Sequence, residues 1–304
     1  MNDTTKRQRK AKNTGRQAGG RLPVAKTYKI YVGGKFPRTE SGRYYPLRPD
    51  GETVIANVCR SSRKDFREAV VAARGACAGW SGASAYNRGQ VLYRIAEMLE
   101  GRREQFVAEL ALQGVNRRRA ESEVDAAVDR LIHYAGWSDK YQQIFSAVNP
   151  VASSHFNFSA LEPTGVVAII APEESGLLGL ISNVAPAIVG GNTCVVLASE
   201  TRPLTAISFA EVLHSSDVPG GVVNLLTGFR EELAGQFASH MDVNAVVFCE
   251  AEDDAAKEIQ LAAADNLKRV IDRTDTDWRR PAAQGPYHIR DTQEVKTTWH
   301  PIGG

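Results

Sequence analysis

Two hydrophobic periods divide the chain. Between residues 64 and 135 apolar side chains recur at intervals of three and four. In 64–80 these are Phe66, Ala69, Val70, Ala73, Cys77 and Trp80, which fall on one face of a helix. Val91, Ile95, Met98 and Leu99 repeat the spacing, then Phe106 and Leu110, then Val124, Val128, Leu131, Ile132 and Ala135. These stripes predict a helical layer whose apolar faces need only a core. From Gly165 the pattern changes to short continuous apolar runs: 166–170, 193–197, 222–226 and 243–248, with 266–271 as a further candidate. Helical segments at 177–189, 203–213, 231–239 and onward from 252 separate them, and Gly190, Gly191 and Asn192 stop the first. Apolar strands alternating with helices predict a parallel sheet covered on both faces, the doubly wound α/β class.

Three segments fall outside this scheme. Residues 28–36 alternate around Gly33 and Gly34, which predicts a hairpin. Residues 148–159 alternate as a strand should. Residues 272–288 are polar, carry Pro281 and Pro286, and are expected to connect rather than to pack.

Charge changes the picture at one end. Across 304 residues, 37 basic side chains face 35 acidic ones, for a net charge of +2. Eight of the basic residues and a single acid lie in 1–26, which leaves 29 basic and 34 acidic residues, a body near −5. A tail of Lys, Arg, Gly, Gln and Asn buries too little surface to fold alone. It reads as a solvated extension. Contact with nucleic acid is the other reading, weakened because no aromatics interleave the charges. The four cysteines (Cys59, Cys77, Cys194 and Cys249) are scattered, and the six histidines show no ligand spacing. Reduced thiols in a cytoplasm are therefore expected, with no metal. No apolar run approaches the roughly 20 residues of a membrane span.

Several of these segments together resemble the aldehyde dehydrogenase superfamily. Residues 163–172 read Pro-Thr-Gly-Val-Val-Ala-Ile-Ile-Ala-Pro, like the first strand of that family's cofactor domain. Ala185-Pro186-Ala187, Gly191-Asn192-Thr193, Pro203 to Ala206, residues 219–228 and residues 266–270 follow in the family's order. The 28–36 segment, 65–74, 94–100 and Tyr134-Ala135-Gly136-Trp137 resemble its N-terminal region, and 294–299 its last strand. The resemblance implies a Rossmann-like sheet with N-terminal helices and an oligomerisation arm. On this reading 1–26 is a disordered basic tail and 27–144 holds the hairpin and helical part. The arm hairpin is 145–162 and the Rossmann-like core 163–271. A connector, 272–288, stands where the family has a catalytic domain, and 289–304 is the C-terminal arm strand.

The same resemblance implies that the chemistry is missing. The family's nucleophilic cysteine belongs to the segment absent here. Arg273 falls where a carboxylate base should stand, and a guanidinium does not accept protons. Glu174 takes the place of the oxyanion-binding Asn, and a carboxylate would repel a developing oxyanion. Cys249 ends a strand but has Glu250 beside it, which disfavours the thiolate, and Cys194 lies in an apolar strand. For NAD, Glu200 and Gly228 match vestigial cofactor positions, but the lysine that accompanies such a Glu is replaced. Glu250, Glu252, Asp253 and Asp254 crowd the expected phosphate turn. The expectation is no cofactor, or weak NAD. The leading reading is a non-catalytic subunit that assembles with a catalytic aldehyde dehydrogenase, or with itself, and supports or regulates it. A divergent oxidoreductase with weak NAD-linked activity and a nucleic-acid-docking scaffold are the alternatives.

Overall fold

A computed structural model describes residues 24–249 and 253–303, with the side chain of Asp253 left aside. Residues 1–23 of the expected basic tail, together with Glu250 and Glu252, lie outside the described residues. Lys26 belongs to the body: its carbonyl accepts from the Asn57 amide at 2.9 Å and its ammonium lies 4.4 Å from the Tyr28 ring centre.

The chain begins with three short strands, β1 (Thr27–Tyr28), β2 (Tyr44–Leu47) and β3 (Ala56–Cys59), in the order β1-β3-β2. Four helices follow: α1 (Arg63–Ser81), α2 (Ala85–Gly101), α3 (Arg103–Leu112) and α4 (Arg117–Ala135). The capping box at the start of α1 explains its sharp entry, since Ser62 and Asp65 satisfy each other's backbone amides. A short α5 (Tyr141–Phe145) leads to β4 (Ala147–Asn149) and β5 (His155–Pro163). The alternating half comprises β6 (Val166–Ile170), α6 (Leu178–Val189), β7 (Thr193–Leu197), α7 (Leu204–His214), β8 (Val223–Leu226) and α8 (Arg230–Ser239). It continues through β9 (Ala245–Phe248), α9 (Asp253–Ala264) and β10 (Arg269–Asp272). After a connector come α10 (Tyr287–Arg290) and β11 (Gln293–Pro301).

All five strands of the central sheet run parallel, in the order β10-β9-β6-β7-β8. Their side chains alternate between two cores, as a pleat requires. Val167, Ile169, Cys194, Val196 and Val247 face α2, α4, α6 and α7. Val166, Ala168, Ile170, Val195 and Phe248 face α1, α8 and α9. There Phe66 of α1 stacks on Phe237 of α8 with centroids 4.3 Å apart. The doubly wound class is thus observed.

Four local expectations are revised. Gly33 and Gly34 do form a tight turn, with φ of 59° and 78° that glycine tolerates. The hairpin is minimal, however: Val32 and Lys35 exchange both backbone bonds across the turn, at 2.9 and 3.0 Å, and the pairing goes no further. Tyr28 pairs with Val58, and Tyr31 bridges Leu225. Ile132, placed on the apolar stripe of α4, is 43% exposed; Tyr134 is buried nearby. The core does not end at residue 271, because Trp278 and Ala283 of the connector and Ile289 of α10 are buried in it. The arm segments also pair within the chain: β5 lies between β11 and β4, leaving only the outer edges of those two strands open.

The amino ends of the central strands are held by asparagines. Asn192 accepts from Thr164 Oγ1 and the Gly165 amide, and donates to the carbonyls of Ala187 and Thr292. Asn244 accepts from the Val166 amide at 3.0 Å. A Cβ on Gly165 (φ 125°) would fall 2.5 Å from the Asn244 amide oxygen, so only glycine fits there. Asn224 likewise joins Gly33, Cys194 and Gly221.

Candidate functional site

Strand order locates the crevice in which doubly wound sheets place their ligands. The chain steps outward in one direction through β6, β7 and β8, and in the other through β9 and β10. The switch point therefore lies between β6 and β9, at their carboxyl ends. Those ends are Ala171 and Cys249, both buried.

One side chain spans this point. Arg230, at the first turn of α8, donates through Nη2 to the Ala171 carbonyl and through Nη1 to the Cys249 carbonyl at 3.4 Å. Its Nε lies 3.0 Å from Glu173 Oε1, an ion pair with side chains only 20% and 24% exposed. A cation at a helix N-terminus opposes the helix dipole, so it calls for such a carboxylate. Glu173 is further bound by the amides of Glu200 and Thr201, at 3.0 and 3.1 Å, and by the Ser199 and Thr201 hydroxyls, at 2.7 and 2.9 Å. Burial alone would raise its pKa; the Arg230 charge and these donors outweigh it and hold the carboxyl below its ordinary range. Glu200, at the end of β7, accepts the Arg230 amide, while burial and the neighbouring Glu173 charge push its own pKa up.

The next position along the strand ends is held by Arg273, just beyond β10 and 6% exposed. It donates to Asn183 Oδ1 at 2.8 Å and pairs with Asp291 at 3.2 Å. Asn183 in turn lies 3.5 Å from the Cys249 sulfur. Cys249 is 1% exposed, and burial pushes the Cys194 thiol up. Arg273 thus works as a clamp on the connector. Arg130 of α4 is a second: it donates to the carbonyls of Trp278 and Ala283, each at 2.9 Å, and to Gln284 at 3.0 Å.

Glu174 opens onto a cavity of about 710 Å³, lined also by Arg119, Glu123, Arg202, Asp275 and Arg279. Buried Glu123 accepts from the Leu177 and Leu178 amides at 3.1 and 3.2 Å and so caps α6. Guanidinium and carboxylate groups both line this cavity, and no thiol does.

A model of the aldehyde dehydrogenase family matches residues 37–273. The chain belongs to the aldehyde dehydrogenase family. Cytosolic aldehyde dehydrogenase 1 of Elephantulus edwardii is 32% identical over 252 residues, which cover 80% of this chain and 49% of that protein. Aldehyde dehydrogenase 1A1 of Rattus norvegicus is 33% identical over 248 residues, with the same coverage. A Bacillus cereus aldehyde dehydrogenase solved as its NAD+ complex superposes with a TM-score of 0.76 at 28% identity, over 80% of this chain and half of that one. Escherichia coli lactaldehyde dehydrogenase gives 0.78 at 25% identity, over 83% and 52%. The aldehyde dehydrogenase chain described here thus spans about half the length of the relatives it matches.

Within this aldehyde dehydrogenase fold, Glu200 and Gly228 follow adjacent strands β7 and β8 and lie at one end of the sheet. Arg273 and Glu174 sit at that same end. Arg230, Glu173, Asn183 and Arg130 were not singled out from the sequence. One local signal existed for Arg230, a cation opening a helix directly after the β8 turn. Among the described residues, no group of three or more His, Cys, Asp or Glu could hold a metal ion, and no helix is long and apolar enough to cross a membrane.

Proposed function

We propose that this chain is a non-catalytic aldehyde-dehydrogenase-like subunit that assembles with a complete aldehyde dehydrogenase and supports or regulates it. The observation carrying this reading is the state of Arg273. The residue matched to the family's carboxylate base is a buried guanidinium already bonded to Asn183 and Asp291. Aldehyde oxidation by this route needs a thiolate, a base and an oxyanion donor together. A guanidinium has no acceptor with which to take a proton as a base, Glu174 offers a carboxylate in place of an amide N–H, and Cys249 is enclosed.

The arm supports the assembly half of the proposal. β4, β5 and β11 form a separate antiparallel sheet, with Val148 68%, Phe156 44%, Val295 60% and Trp299 57% exposed. The outer edges of β4 and β11 offer main-chain groups to a partner strand.

Co-expression with each aldehyde dehydrogenase of the same cell, followed by size-exclusion chromatography with light scattering, tests the proposal. A mixed oligomer is expected, lost on deletion of residues 294–304. A chain that stays monomeric beside every such enzyme defeats it. Turnover of aldehydes by the isolated chain, abolished by Cys249→Ser, would favour the divergent oxidoreductase instead.

A further inference from the structure

The structure assigns a self-ligated crevice to this chain: the carboxylates of Glu173 and Glu200 take up backbone N–H donors beside the switch point, and Arg230 bridges the two strand ends, so the site excludes NAD+. This goes beyond the subunit reading and does not depend on it.

A dinucleotide bound at such a switch point needs backbone N–H donors for its phosphates and open space beyond the strand ends. Among the described residues, both are used within the chain. The amides of Glu200 and Thr201 go to Glu173, and the amide at the start of α8 goes to Glu200. The space between the ends of β6 and β9 holds the Arg230 guanidinium, which caps the carbonyls of Ala171 and Cys249. A phosphate entering here would have to displace a carboxylate from donors and an ion pair that hold it ionised. The residues present therefore do not fit the cofactor. The network also joins four elements, since Arg230 begins α8, Glu173 follows β6, Glu200 follows β7 and Cys249 follows β9. A dinucleotide would tie the same strand ends together; here the chain does so without one.

Melting curves and calorimetry on the full-length chain test this, with NAD+ itself as the probe. In millimolar NAD+ the wild-type melting temperature is expected to stay unchanged and no binding heat to appear. Arg230→Met and Glu173→Gln should each lower the melting temperature by several degrees, and the double variant by clearly less than their sum, because the two side chains act on each other. Hydrogen exchange in Arg230→Met should quicken at residues 171–175 and 199–201 and stay as in wild type at 147–163. A wild-type melting temperature raised by several degrees in millimolar NAD+ would overturn the proposal. So would strict additivity in the double variant. Should Arg230→Met fail to fold, the Glu173→Gln melt and the wild-type titration still decide. NAD+ binding would leave the mixed oligomer to be judged separately, since assembly is read by light scattering.

Discussion

The two ends of the central sheet are finished in different chemistry. At the amino ends, neutral asparagines bond backbone groups: Asn192 joins Gly165 to Ala187 and Thr292, and Asn244 holds the start of β6. At the carboxyl ends, charged groups do the joining, with Arg230 and Glu173 across β6 and β9 and Arg273 against Asn183. A buried amide that bonds backbone carries only the cost of desolvating a dipole, whereas a buried guanidinium brings a full charge whose desolvation its partners must offset. The amino end is thus a structural seam that any chain of this fold needs. The carboxyl end is where a ligand would normally enter, and here side chains of the chain itself converge on it. Charges that face a ligand in one context can become fixed struts in another.

The contrast can be tested at both ends. Asn192→Ala should have the largest effect, because Asn192 is fully buried and its loss strands the Gly165 amide and removes side-chain bonds to two carbonyls that keep other donors. At ~1–3 kcal/mol for the stranded amide and ~0.5–1.5 kcal/mol for each bond lost to a carbonyl, a loss of roughly 3 kcal/mol is expected in urea unfolding. A smaller loss than Arg230→Met would reverse the ranking of the two ends. Arg273→Met should cost about 2 kcal/mol, read in the same experiment, and should free the connector to proteolysis around residues 275–285. An unchanged digestion pattern would remove Arg273 as a clamp.

Acid should act on the carboxyl end selectively. Burial, with Arg273 and Arg130 nearby, lowers the His288 pKa from 6.5 to about 4, so His288 is neutral in the fold. Its contribution is complete above pH 6.5 and is lost as pH falls toward 4, since the unfolded chain binds the proton more readily. Glu173, also lowered from its unfolded value of 4.5, contributes above that pH and loses its contribution below it. Stability should therefore decline from pH 6.5 downward. His288→Asn should flatten the upper part of that decline and Glu173→Gln the lower part. Equal slopes in wild type and both variants would show that neither group couples to folding. The smallest effect belongs to the arm: Val148→Ser, at a site 68% exposed, should shift stability by less than ~0.5 kcal/mol, even where it alters oligomeric state.

How much was legible follows from which interactions are local. The stripes of α1 and α4 and the apolar runs of β6, β7 and β9 mark their own layers, because periods of 3.6 and 2 are properties of neighbouring residues. Ile132 misled because it borders the stripe and a helix turn carries it round to solvent. Trp278 misled because a single buried aromatic among charged neighbours leaves no period. The roles of Arg273 and Glu174 were readable only as departures from a family pattern, and their new partners were not.

The sequence alone determined the doubly wound class, the order of its strands and helices, and the family to which they belong, since each rests on contiguous patterns that bury one face at a time. Only the tertiary structure decided how the crevice is filled. Arg230 reaches a carbonyl 59 positions away, and Arg273 meets an asparagine 90 positions away. Those pairings depend on strand order and on the side of the sheet to which each turn returns. Connection geometry fixes both, and no local spacing of residues encodes them.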